Sequence, residues 1–126
     1  LDDTYNASPE SMLAALNLLD ELDGRKVAVL GDMLELGPYE RGGHEMVGLR
    51  AGQVVDVLLT LGERAHIIAE AARRGNGKKK AILEFDALEP LLEWLKTNLT
   101  KKDVVLIKGS HGLRMDRITS ALEVRS

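Results

Sequence analysis

At 126 residues, with 44% hydrophobic and 29% charged side chains, the chain has the length and apolar content of one domain able to bury a single core. Its net charge of −3 supplies no basic field for a phosphate backbone, and no apolar run approaches the roughly 20 residues that a bilayer span needs. Nucleic acid and membrane are therefore not expected partners. The absence of cysteine and the opening Leu1-Asp2-Asp3, with neither an initiator methionine nor a signal peptide, lead to the expectation of a cytoplasmic domain cut from a longer protein.

Periodicity predicts a helix over 9–22, where Met12, Leu13, Leu16, Leu19 and Leu22 recur at helical spacing behind Ser8 as N-cap and Pro9 at the first helical position. A short β-branched run over 26–30, closed by Gly31, reads as a buried strand. A helix over 39–51 follows, then a second apolar strand over 54–61, closed by Gly62, and a helix over 63–74. Gly75 to Lys80 is a solvated loop, 81–84 a weaker strand and 86–98 a helix with Leu91, Leu92, Trp94 and Leu95 as core stripe. A third apolar strand over 104–107 ends at Lys108-Gly109, and a last helix spans 113–124. Alternating buried strands and amphipathic helices require parallel pairing, since each crossover lays a helix on a sheet face. The expected fold is α/β: doubly wound, mostly parallel, with helices on both faces.

In such a sheet ligands sit beyond the carboxyl ends of the strands, so the residues after the apolar runs are the candidates. Asp32 and Glu35 follow the first strand within a glycine-rich stretch, and His44 lies near the start of the next helix. Carboxylates here can orient a cationic group and His44 can titrate near neutral pH; alternatively the glycines mark a mobile loop and the acids are ordinary caps. Lys108-Gly109-Ser110-His111-Gly112 offers an ammonium, a hydroxyl and open backbone N–H groups, able to cradle an anion. It lacks P-loop spacing. Asp3, Tyr5, Asn6 and Ser8 crowd ahead of a helix N-terminus, which favours anions; the alternative is that Ser8 merely caps the helix while Asp3 and Asn6 make local turn bonds, as such residues usually do. His66 reads as a partly buried helix residue rather than a metal ligand, and no serine stands in a Gly-x-Ser-x-Gly elbow.

Three stretches in order, Asp2-Asp3-Thr4-Tyr5-Asn6-Ala7-Ser8-Pro9-Glu10-Ser11-Met12, Ala28-Val29-Leu30-Gly31-Asp32-Met33-Leu34-Glu35-Leu36-Gly37 and Lys108-Gly109-Ser110-His111-Gly112-Leu113-Arg114-Met115, resemble the C-terminal domain of the Mur ligase family. Within it they are most similar to the branch that adds D-alanyl-D-alanine. The resemblance implies a Rossmann-like domain of a three-domain cytoplasmic enzyme of peptidoglycan synthesis. A central domain, not contained in these 126 residues, would bind ATP and Mg²⁺ through a P-loop. The carboxylate of UDP-MurNAc-tripeptide would take the γ-phosphate as an acyl phosphate, and the dipeptide amine would displace phosphate to form the amide. By the same resemblance Asp3, Asn6 and Tyr5 would meet the nucleotide, while Ser8, Asp32, Glu35, Lys108, Ser110 and His111 would line the dipeptide side. His111 departs from the family, where arginine is usual. Catalytic groups are expected elsewhere, and the chain alone is expected to be inactive. The competing expectation is a non-enzymatic α/β module that binds a nucleotide or small anion, or an interaction domain whose clusters are only caps and turns.

Overall fold

The computed structural model describes residues 7–75, 77 and 79–110. Helix α1 (Pro9–Asp20) begins where expected: Ser8 is extended, its Oγ accepts the Ser11 N–H, and Ser11 Oγ accepts the Ser8 N–H in return. This reciprocal capping satisfies backbone donors that the first helical turn would otherwise leave open. Strand β1 (Arg25–Gly31) follows, then a short 3-10 turn at Gly37–Tyr39, α2 (Glu40–Val54), β2 (Val57–Leu61), α3 (Ala65–Arg74), β3 (Ala81–Phe85), α4 (Leu88–Asn98) and β4 (Asp103–Lys108). The expected helix over 113–124 lies outside the described residues.

The sheet order is β3-β2-β1-β4, and each described pairing is parallel, with Ala28 opposite both Leu58 and Leu106. Helices α1, α2 and α3 cover one face, burying Met12, Leu16, Val47, Ala51 and Ile68 on Ala28, Leu30, Leu58 and Leu106. On the opposite face α4 buries Leu88, Leu91 and Leu95 on Val27, Val29, Leu59 and Ile107. The doubly wound expectation is thus met, and the chain reverses its winding between β1 and β4.

Two local readings are corrected. Val54 closes α2 and Val55 caps it, so β2 starts at Val57 rather than 54; the Val-Val run is apolar because it packs beneath the helix end. Nor do Gly42 and Gly43 belong to a mobile loop, since both lie within α2. At Gly43 a Cβ would stand 2.8 Å from Pro9 Cγ, so the glycine lets the start of α1 lie against α2. Gly48 does the same for α3: a Cβ there would collide with the Ile68 carbonyl oxygen.

Candidate functional site

In a doubly wound sheet the crevice opens beyond the strand ends where the winding reverses, because the adjacent connections leave on opposite faces. Here that point lies between β1 and β4, and the loops leaving them are Asp32 to Leu36 and Gly109-Ser110. They are knitted together. Ser110 N–H donates to the Asp32 carbonyl at 2.9 Å, and Leu34 N–H donates to Ser110 Oγ at 3.0 Å.

Asp32 itself turns away toward α3. Its carboxylate, buried at 4% exposure, accepts the Ala65 N–H at 2.7 Å and lies 3.5 Å from Arg64 Nη1. Ala65 opens α3, and neither Arg64 nor any neighbour in sequence caps that end with a side chain. The carboxylate therefore caps α3 from the loop after β1, where the helix dipole favours a negative charge. Gly62 makes room for it: φ is +113°, and a Cβ would stand 2.5 Å from Asp32 Oδ1.

His44 is wholly buried. Met33 N–H donates to its Nε2 at 3.0 Å, while Nδ1 lies 2.6 Å from the Glu40 carbonyl oxygen. A ring nitrogen that accepts a backbone N–H carries no proton, so the arrangement calls for the Nδ1–H tautomer, with Nδ1 donating to Glu40. The residue read from the sequence as a candidate acid–base group is an internal strut.

Arg64 Nε donates to Glu40 Oε1 at 2.6 Å. Hydrogen bonding to Glu40, its attraction, and the nearby Asp32 carboxylate raise the guanidinium pKa further, which leaves Arg64 cationic at any working pH. Sequence reasoning passed over this residue. The available signal was its place two residues after the Gly62 that closes the second apolar run, a strand end like the other two.

Glu35 is exposed and holds a left-handed φ of 63°, a conformation that costs a non-glycine residue roughly 1 kcal/mol and collects at functional loops. Lys108 ends β4 at 3% exposure, on the same face as Val104 and Leu106. Ser8 is engaged by the α1 cap, and α1 starts beside Gly43 and Leu36, at the same end of the sheet as the other groups. Asp3, Tyr5, Asn6 and His111 lie outside the described residues.

His66 is a half-exposed residue of α3, as expected, but it has acidic partners remote in sequence: Glu84 Oε1 is 2.5 Å from Nδ1 and Asp86 Oδ1 is 2.8 Å from Nε2. One acid on each ring nitrogen gives no chelate. Among the described residues no cluster of three or more His, Cys, Asp or Glu is placed to hold a metal ion.

The model of the "Mur ligase, glutamate ligase domain" family matches residues 1–111. The chain is 37% identical over 125 residues to the UDP-N-acetylmuramoyl-tripeptide–D-alanyl-D-alanine ligase of Bacillus subtilis, covering 97% of the chain and 27% of that protein. The Escherichia coli enzyme of the same name is 35% identical over 126 residues, covering 98% of the chain and 26% of the relative. Among solved structures, MurF ligase from Thermotoga maritima in complex with ADP superposes with a TM-score of 0.79 at 34% identity, covering the whole chain and 29% of that structure. MurF from Acinetobacter baumannii gives a TM-score of 0.75 at 31% identity, covering 96% of the chain and 26% of that structure. The chain spans about a quarter of the length of the curated relatives it matches. A family match across most of the chain, with this fold, makes it a member of the Mur ligase family, as the glutamate ligase domain that matches the C-terminal domain of MurF enzymes.

Proposed function

We propose that this domain is the dipeptide-binding part of an ATP-dependent amide ligase that adds D-alanyl-D-alanine to UDP-MurNAc-tripeptide in cytoplasmic peptidoglycan synthesis. The observation that carries this reading is the joining of the β1 and β4 loops at the winding reversal by Ser110, which gathers two sequence motifs into one crevice. Free D-alanyl-D-alanine is a zwitterion, with an ammonium at one end and a carboxylate at the other. The exposed Glu35 on one loop suits the ammonium, while Lys108 and Ser110 on the other side suit the carboxylate. Asp32, committed to α3, supports Glu35 rather than competing with it.

The nucleotide and Mg²⁺ are assigned mainly to another domain of the full protein, with Asp3, Tyr5 and Asn6 of this chain reaching the nucleotide. In the reaction the tripeptide carboxylate takes the γ-phosphoryl group, and the deprotonated dipeptide amine then attacks the acyl carbon. The C–O bond to phosphate breaks and the amide forms. Holding the amine over the acyl phosphate before water reaches it is the contribution of a domain that closes on substrate.

In the full-length enzyme, Glu35→Gln is expected to raise the KM for D-alanyl-D-alanine about tenfold, the order expected for loss of one charged contact of about 1.4 kcal/mol, with the KM for ATP unchanged. Steady-state phosphate release measures both. A dipeptide KM that does not move removes Glu35 from the site. Tight binding of ATP by the isolated chain in titration calorimetry would favour the nucleotide-module alternative.

A further inference from the structure

We propose that His44 is a positioning residue of the dipeptide site, acting through the backbone of the loop after β1; this rests on the function proposed above. Among the described residues, bonds from several elements hold that loop. The Asp32 carboxylate takes the Ala65 N–H, the Asp32 carbonyl takes the Ser110 N–H, and the Leu34 N–H is taken by Ser110 Oγ. The remaining donor of the series, Met33 N–H, points inward and is met by His44 Nε2 at 3.0 Å.

Met33 is itself fully buried, so no water can replace that acceptor without opening the core. The ring cannot slide, because its other nitrogen is fixed 2.6 Å from the Glu40 carbonyl one turn earlier in α2. The imidazole therefore measures the spacing between α2 and the end of β1. Glu40 closes the circuit: its carboxylate holds Arg64, which lies next to Asp32. Glu35 stands two residues beyond Met33 in its left-handed conformation. A buried ring with no reach to solvent thus sets where an exposed carboxylate is presented, which is how a supporting residue tunes a site without touching substrate.

The test is steady-state kinetics of the full-length enzyme with each of its three substrates varied in turn, on wild type and three variants. His44→Leu fills the space and accepts no hydrogen bond. His44→Asn keeps an amide near Glu40 and is too short for Met33. His44→Gln places an oxygen near the position of Nε2. We expect Leu and Asn to raise the KM for D-alanyl-D-alanine about tenfold, with the KM values for ATP and UDP-MurNAc-tripeptide within about twofold of wild type, and Gln to recover most of the loss.

A fall in thermal stability with all three KM values unchanged overturns the proposal. So does an equal loss toward every substrate, or failure of both the Leu and Asn variants to fold, since each outcome makes the role of His44 merely structural. If wild type itself does not join D-alanyl-D-alanine to the tripeptide, the proposed function fails, which is a different result from an active wild type whose His44 variants keep their dipeptide KM.

Discussion

His66 shows how one side chain acquires its charge from its surroundings. Hydrogen bonds to Glu84 and then to Asp86 raise its pKa, and with an acid on each ring nitrogen the imidazolium alone can donate to both. Glu84 responds in the opposite sense. Burial alone would raise its pKa, but bonds from His66 and Arg73 outweigh that and lower it. Since the folded pKa of His66 lies above its unfolded value, its contribution to stability is complete below about pH 6.5 and disappears as pH rises through the folded value. The ring is 40% exposed, so solvent screening limits the effect to a few tenths of a kcal/mol up to about 1. Urea denaturation at pH 6 and pH 9 is expected to show this loss in the wild type and a smaller one in His66→Gln. An equal loss in both proteins would assign the pH dependence to other groups.

At the scale of elements, the α2–α3 contact sets the strongest steric condition. Placing Ala at Gly48 improves helix propensity by about 1 kcal/mol but drives a methyl into the Ile68 carbonyl, where overpacking costs about 1–3 kcal/mol. Net destabilisation of up to about 2 kcal/mol is expected from denaturant melts. Gly42, on the same helix, faces open space, and Gly42→Ala is expected to be neutral or to stabilise by about 0.5 kcal/mol. Much at this scale was legible in the chain. The cap at Ser8-Pro9 and the apolar runs ending at Gly31 and Gly62 declared α1, β1 and β2, because their signals are local. β3 was weak because it is an edge strand, only partly buried, with Glu84 turned to partners on α3. The boundary before β2 was misplaced because burial makes a helix end and a strand equally apolar. The site was half legible: motif order pointed to the loops after β1 and β4, whereas the commitments of Asp32 to Ala65 and of His44 to Met33 could not be read. The first partner is a backbone N–H remote in sequence, and the second is a contact made only once α2 packs.

For the molecule as a whole, winding order decides the chemistry available. Because β4 lies beside β1 rather than beyond β3, the two motif loops meet; any order separating those strands would leave Asp32 and Ser110 unable to bond. The same architecture limits what the domain achieves by itself. Because the chain matches only about a quarter of the length of its curated relatives, the purified chain is expected to show no ATP-dependent amide formation. Phosphate release in the presence of ATP, dipeptide and UDP-MurNAc-tripeptide checks this, and turnover by the chain alone would place the catalytic groups within it.

Every described strand points the same way, so the fold has two poles, and the one away from Ser110 is tied down differently. There Arg25 grips Asp103 through Nε and Nη2 at 2.8 Å each and also donates to the Asn98 carbonyl, while Asp103 accepts the Thr100 N–H. Lys101, exposed in that anchored turn, is separated from Ser110 by the length of β4, about 20 Å at the usual rise per residue. A fluorophore or surface tether attached at Lys101 would therefore travel rigidly with the sheet and leave the crevice unobstructed, making it a natural handle on this domain.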